Sequence, residues 1–453
     1  MQLNFFRIYN RITHMAKMNK EHIAELEFFV QKYGSSVNPE AIVKEDILRQ
    51  GVSFGKVNEE ENFSGKSYFI FSFDVDNGGG VINKKYPEEI AVKNGPYNLK
   101  RTIVSVRINK SSPYKIKAGR GSDGYGLYLD GIYMGDVSFS PEKSYMLKKT
   151  DSGKSVRDVA PTIEWGYLIY LAVFRICQYF ENHNECAFCD MNRNYVNQKK
   201  SNKNYSAVKS VEDIISALSI IESSEDSKAG AYTLTGGSII GPAGLNGDAE
   251  IDFYVRFLEA IEEKFRGRWL SKVVVQAHTA ENLKRLKSAG AYIYHTNFEV
   301  WDKNLFEKIC PGKSKFIGRD EWVKRIAGAV PVFGEYKVIP NFVAGVELSK
   351  PFGFESISDA INSTAEGLEF FMSKNIIPRY TTWCPEKTSQ LGKLGNSSAP
   401  LEYYVRLLLK WHELRYKYSL PVPEGYGAAG AGRAEFSVSA FMDAFKVETP
   451  ENL

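Results

Sequence analysis

A chain of 453 residues is longer than one average domain and predicts two or three domains, or one barrel with an appendage. Its hydrophobic share of 43% and charged share of 25% are ordinary for a globular chain. A net charge of +4 is small for this length, and mixed-sign runs such as Lys56–Glu61 and Lys264–Lys272 read as solvated surface, so no nucleic-acid partner is expected.

No apolar run reaches the roughly 18 residues that would span a bilayer. The longest, Trp165–Ile176, carries Arg175. Arg7 and Arg11 interrupt the apolar residues of the N-terminus, which lacks a signal-peptide core. A cytoplasmic protein with no membrane partner is expected. The first predicted element is a helix over Lys20–Tyr33, with Ile23, Leu26, Phe29 and Val30 at helical spacing. From about Ser67 short β-like runs follow: Tyr68–Phe73, Ile103–Ile108 and Gly126–Leu129, then an Asp130–Gly131 turn into Ile132–Met134. Asn77–Gly80 and the basic stretch Lys115–Gly126 read as loops. Residues 1–155 are expected to form a small α+β domain, and no motif in them names a role.

After Ala160 apolar runs alternate with amphipathic ones. Strands are predicted over 167–176, 231–240, 272–277, 291–300, 337–346 and 376–383. Helices are predicted near 211–222, 250–265, 280–288, 319–329, 355–373 and 400–417. Continuous apolar strands separated by helices indicate a parallel sheet with right-handed crossovers. The expected fold is α/β, a partial (βα)6 TIM-like barrel over 156–420 with a C-terminal extension over 421–453. In such a barrel the chemistry sits at the C-terminal ends of the strands.

The loop after the first strand carries Cys177, Cys186 and Cys189, spaced C-x8-C-x2-C, three of five cysteines in the chain. An odd count without a signal sequence argues against disulfides and for metal ligation. Three thiolates suit a [4Fe–4S] cluster with one iron left open to a chelating small molecule. His183 in the same loop also completes a Cys3His zinc set, and spacing alone does not separate the two. Structural zinc usually staples a poorly cored element, whereas this loop tops a barrel with its own core, which favours the cluster. A zinc-dependent barrel hydrolase using His278 and His295, or a non-catalytic metal-binding protein, are the other classes the residues admit.

With its aromatic Phe188 just before the last cysteine, this loop resembles the cluster loop of the radical S-adenosylmethionine (SAM) superfamily, although the usual first gap is three residues and here it is eight. The resemblance covers about residues 165–418, with biotin-synthase-like features, and implies a [4Fe–4S] cluster and SAM as cofactors. It implies that Gly236, Gly237 and Ser238, at the end of the second strand, meet the SAM amino group, with Ser238 where the family has Glu. Glu299, in a strand end similar to the His-Asn-Leu-Glu/Asp-Thr motif, would take the ribose. Arg319, preferred to Lys313, would take the carboxylate, and Val343 and Gly345 would wall the adenine. The stretch Trp383–Gly392 is similar to the Pro-x-x-Gly-Thr-x-Leu region of the same group. His183 would tune the cluster from beside it, and Gln276 and His278 would point to the same mouth. Cys310 and Cys384 are too few for a second cluster and read as packed residues. The implied reaction is reductive SAM cleavage to a 5′-deoxyadenosyl radical, which takes hydrogen from a small-molecule substrate. An external one-electron donor of flavodoxin or ferredoxin type would supply the electron.

Overall fold

The computed structural model describes residues 21–55, 62–76, 85–119, 124–201, 205–241 and 248–446. Residues 1–20, with Arg7 and Arg11, the Lys56–Glu61 run and the Asn77–Gly80 loop lie outside them. Six parallel strands follow one another in chain order: Leu168–Phe174, Ala231–Gly236, Leu270–Val274, a fourth split by Thr296 into Ile293–His295 and Asn297–Glu299, Asn341–Ala344 and Arg379–Thr382. Each pairs in parallel with its neighbour in sequence. Helices Val211–Glu222, Asp248–Phe265, Ala280–Ser288, Arg319–Ala327, Ile357–Met372 and Leu401–Lys417 occupy the predicted places. Their starts follow local chemistry. Ser210 accepts from Asp213 N and Thr279 from Asn282 N, relieving backbone donors that have no partner in the first turn.

Among the described residues no backbone pairing joins the first and last strands. The outer edge of the first strand carries a two-residue antiparallel strand, Thr162–Ile163. The C-terminal segment lies along the other edge, where Thr382 N donates to Val438 O (3.1 Å) and Ser439 Oγ to Tyr380 O (2.7 Å). All six strands nonetheless contribute to the wall of one cavity, so the sheet curves around it. No helix among the described residues is long and apolar enough to cross a membrane.

The N-terminal third forms a mixed six-stranded sheet in the order Ser53–Phe54, Tyr114–Ala118, Tyr125–Leu129, Ile132–Phe139, Glu89–Asn94, Leu99–Ser105. The predicted turn is present, with Asp130 at φ 49° and Gly131 at φ 86°, the two positive values that a tight hairpin turn demands. Lys115–Gly126 is not a single loop: Tyr114–Ala118 pairs antiparallel with Tyr125–Leu129. Tyr114 and Ile116 face the core while Lys115 and Lys117 face water, a period-two pattern that the lysines obscured. Conversely, Tyr68–Phe73 is not a strand. Tyr68 (φ 47°) and Phe73 (φ 49°) leave extended geometry, and Phe69, Ile70, Phe71 and Phe73 are apolar because they line the cavity. A helix over Pro39–Gln50 was not predicted, although Asn38 caps it, Pro39 opens it and Gly51 (φ 67°) closes it.

That helix carries Lys44, Glu45 and Asp46, all buried. Lys44 Nζ pairs with Asp443 Oδ2 at 2.7 Å, with both side chains fully buried, and Thr102 Oγ1 donates to Asp443 Oδ1 at 2.7 Å. Glu45 accepts from Thr382 Oγ1 (2.5 Å), Tyr380 OH (3.1 Å) and Ala440 N (2.7 Å). Asp46 accepts from Tyr114 OH (2.6 Å) and Arg49 Nε (2.6 Å). Removing one member of such a pair strands a buried charge. Asp443→Ala is therefore expected to cost about 3–5 kcal/mol, read as a lower urea midpoint. An unchanged midpoint would show that Lys44 finds water or another acceptor.

Candidate active site

The first strand delivers the chain to Cys177, whose backbone is clasped by one amide: its N–H donates to Asn192 Oδ1 (2.7 Å), and Asn192 Nδ2 donates to its carbonyl (3.1 Å). The rest of the loop is tied down by backbone bonds. Ala187 N donates to Ile309 O (2.7 Å), Gly312 N to Asn184 O (2.9 Å), Cys189 N to Cys186 O (2.9 Å) and Leu391 N to Ala187 O (2.9 Å). Cys177, Cys186 and Cys189 all line the cavity, which has a volume of about 230 Å³. Burial pushes the Cys177 thiol up to about 11, opposed by hydrogen bonds from Tyr179 and Ser238. Burial and the neighbouring Cys186 raise Cys189 as well. Metal loading at this loop would therefore displace protons. Cys310 is fully buried and shares a hydrogen bond with Cys186, so a fourth thiol adjoins the set.

Among the described residues no three His, Cys, Asp or Glu side chains close on a point that a single ion could fill. A cubane does not require this, because each of its cysteines binds a different iron. The single-ion alternatives fare worse. His183 is exposed, with φ 53°, outside the cavity wall. His278 Nε2 is held by Glu250 Oε2 at 2.7 Å, which also takes Gln276 Nε2 on its other oxygen at 3.1 Å. Neither Gln276 nor His278 reaches the cavity, whereas His295 does. The donor set present fits a cluster held by three cysteines.

Gly236, Gly237 and Ser238 line the cavity beside that loop. Neither glycine takes a positive φ. Their role is close packing: a Cβ on Gly237 would lie 2.0 Å from Ile176 O and 2.6 Å from Cys177 Cα, and one on Gly236 2.5 Å from Phe174 O. Glu299 sits at a register shift with φ 80°, a strained value for a residue with a Cβ, and its carboxylate receives Lys313 Nζ at 2.6 Å. Lys313 also donates to Asn297 O (2.5 Å) and lies 4.8 Å over the Trp322 ring. Burial works against its ammonium, but Glu299 and the nearby thiols carry its pKa above the usual lysine value.

Arg319 is elsewhere. Its Nε and Nη2 donate to Trp301 O at 3.2 and 3.0 Å and its guanidinium stacks 4.2 Å over the Trp301 ring, so of the two candidates Lys313 is the one that faces the cavity. Val343 lines the wall. Gly345 does not: it takes φ 106° under Tyr404, whose hydroxyl would meet a Cβ at 2.6 Å.

Several lining residues had no sequence motif. Glu164 is buried at φ 56°, followed by Trp165 at φ 58°, and their N–H groups donate to Glu89 Oε1 (2.7 Å) and Oε2 (2.8 Å) of the N-terminal sheet. Burial raises the pKa of Glu164, and separately of Glu89, to about 7. Ser72 Oγ donates to Asp190 Oδ2 at 2.5 Å and Asn194 Nδ2 to Ile70 O at 3.1 Å, fixing the aromatic segment against the helix Met191–Ser201. Lys272, Arg379 and Tyr426 complete the far end.

No protein-family model matches the chain. It is 23% identical over 175 residues to the bacteriochlorophyllide c C-7(1)-hydroxylase of Chlorobaculum limnaeum, covering 37% of this chain and 40% of that relative, so less than half the relative's length is matched. Among solved structures it is similar to methylornithine synthase (14% identity, 64% of this chain and 84% of that one, TM-score 0.38). It is also similar to a radical SAM methyltransferase from Sphaerobacter thermophilus (10%, 69% and 76%, TM-score 0.38). A third is coproporphyrinogen III oxidase of Escherichia coli, a radical SAM enzyme (12%, 42% and 41%, TM-score 0.30).

Gly237→Ala should leave far-UV circular dichroism unchanged and lower iron uptake on anaerobic reconstitution severalfold, because the new methyl group displaces Ile176 and Cys177. Unchanged uptake would mean that the loop seats its cysteines without this close approach.

Proposed function

We propose that the chain is a radical SAM enzyme in which Cys177, Cys186 and Cys189 hold a [4Fe–4S] cluster at the mouth of a partial barrel. The observation that carries this reading is the opening of all three thiols, from one pinned loop at the end of the first strand, onto a cavity walled by all six strands. A cluster held there would supply the electron for reductive cleavage of SAM to methionine and a 5′-deoxyadenosyl radical, which would take hydrogen from substrate.

The chain's own residues bind, orient and exclude water. Gly236, Gly237 and Ser238 offer backbone to the SAM amino group, Glu299 a carboxylate to the ribose hydroxyls, and Val343 an apolar face to the adenine. Lys313, held by Glu299, replaces Arg319 as the proposed partner of the SAM carboxylate. Ser238 hydrogen-bonds the Cys177 sulfur and stabilises negative charge there. Phe69, Phe71 and Phe73 close the wall and keep water from a reactive intermediate. The substrate is a small molecule, and an external one-electron donor meets the loop from outside. The hydroxylase name of the curated relative is compatible with a reaction that begins by hydrogen abstraction.

Purified without oxygen, the protein should be brown with about four irons per chain and should form 5′-deoxyadenosine from SAM and dithionite. Cys186→Ala should lose both colour and cleavage. A colourless protein with stoichiometric zinc would sink the reading. Among variants that keep their iron, Lys313→Met should raise the SAM concentration for half-maximal cleavage about tenfold, the worth of one charged contact, while Arg319→Gln leaves it unchanged. The reverse order would restore Arg319 as the carboxylate partner.

A further inference from the structure

The far end of the cavity is built differently from its mouth. Lys272 lies in the middle of the third strand, in register with Thr233 and, through it, Tyr170. Gly236 is three residues further along, so Lys272 sits about 10 Å deeper at roughly 3.3 Å per residue. Arg379 opens the sixth strand, and its Nε–H points at His295 Nε2, 3.4 Å away. Tyr426 OH lies 3.4 Å from His295 Nδ1. Lys272 Nζ donates to Gly425 O and lies 4.2 Å over the Tyr426 ring; the Arg379 guanidinium is 5.1 Å from the centre of Phe436. Lys272 is 2% exposed and His295 3%.

Neither cation forms an ion pair among the described residues. The nearby carboxylate, Glu164, is beyond ion-pair distance of both, yet close enough that their charges oppose the effect of burial on it. His295 stays neutral, since burial first and then Arg379 and Lys272 push its pKa well below the usual range. Among the residues lining this end two cations face one carboxylate, because Glu435, whose charge also reaches Glu164, lies outside the lining and accepts from Ala428 N; the lining side chains thus carry an excess of positive charge, beside Tyr170, Val274 and Phe436. Unbalanced buried charge is costly unless something complements it. The strained Glu164–Trp165 backbone, held by Glu89, indicates that this end is shaped at a cost to stability, as strained sites usually are.

We propose that Lys272 and Arg379, backed by His295 and Tyr426, anchor a carboxylate of the small-molecule substrate at the floor of the barrel. The planar fork of arginine matches a carboxylate in two-point contact, and one negative charge balances the excess. A substrate so anchored extends its other end about 10 Å toward the cysteine loop. The inference rests on the reading of this cavity as the substrate chamber of a radical SAM enzyme.

The test is calorimetric titration of the cluster-loaded full chain, with SAM saturating, using 3-phenylpropanoate and its uncharged amide as probes. The acid should bind at least about tenfold more tightly than the amide. Arg379→Gln should remove that preference, and Arg379→Lys, which keeps the charge, should retain most of it. Equal affinities in the unaltered protein, no saturable binding of the acid, or an unchanged preference in Arg379→Gln would each overturn the anchor. SAM cleavage is measured on the same preparations. Cleavage without acid preference removes the anchor alone, and acid preference without cleavage keeps the anchor and removes the radical reading.

Discussion

Three consecutive charged residues in the middle of one short helix, Lys44, Glu45 and Asp46, are all buried, and each faces a different part of the molecule. Lys44 holds the C-terminal segment through Asp443, Glu45 holds the sixth barrel strand through Thr382 and Tyr380, and Asp46 holds the N-terminal sheet through Tyr114. Side chains on neighbouring helical positions point about 100° apart, so one turn of helix can serve as a three-way joint. Burying such groups is expensive, and the arrangement is tolerable only because each has its partners. A hydrophobic interface could have supplied the same adhesion without specifying which strand meets which segment. The buried hydrogen bonds do specify it. The core around them is continuous from Ile42 through the barrel to Trp411.

The joint bears on the cavity because the C-terminal segment that Lys44 and Glu45 fix supplies Phe436 and Val438 to its wall. The N-terminal third reaches the cavity by two further routes. Glu89 pins the strained backbone that presents Glu164, and the Phe69–Phe73 segment is bonded to Asp190 and Asn194 of the barrel. The chamber is therefore completed by segments lying far from the barrel in sequence. Strain collects at this chamber, at Glu164 and again at Glu299, where surrounding hydrogen bonds determine the backbone more strongly than local preference does.

Legibility in the sequence followed the same division. The barrel strands and helices could be read because their apolar residues recur at fixed periods; the helices Val211–Glu222 and Ala280–Ser288 fall on the residues expected. The helix Met191–Ser201 was missed because only Met191 and Asn194 of its length are buried, leaving no apolar stripe to detect. Tyr68–Phe73 was misread because apolar side chains facing a cavity look like those facing a sheet. The three cysteines were visible through their spacing, the paired glycines and Glu299 through the resemblance to the radical SAM superfamily, and all line the cavity. The preference for Arg319 over Lys313 rested on guanidinium chemistry alone. Which cation faces inward depends on Trp301, whose carbonyl and ring take up Arg319.

Lys272, Arg379 and Glu164 escaped for a different reason. Each is a lone charge in or beside a short strand, Lys272 in Leu270–Val274, Arg379 in Arg379–Thr382 and Glu164 after Thr162–Ile163, and a lone charge there reads as a surface position or an edge. Only the curvature of the strands around one cavity turns these isolated charges into one group, because residues a hundred or more positions apart then share a small volume. A buried cation in a parallel strand is informative once its paired carboxylate is sought and not found within reach. An ion pair would have made Lys272 or Arg379 a structural residue, as Lys44 is with Asp443. The same criterion separates the two ends of the cavity: Lys313 at the mouth already has Glu299 for a partner, whereas the cations at the floor leave their charge for a ligand to complete.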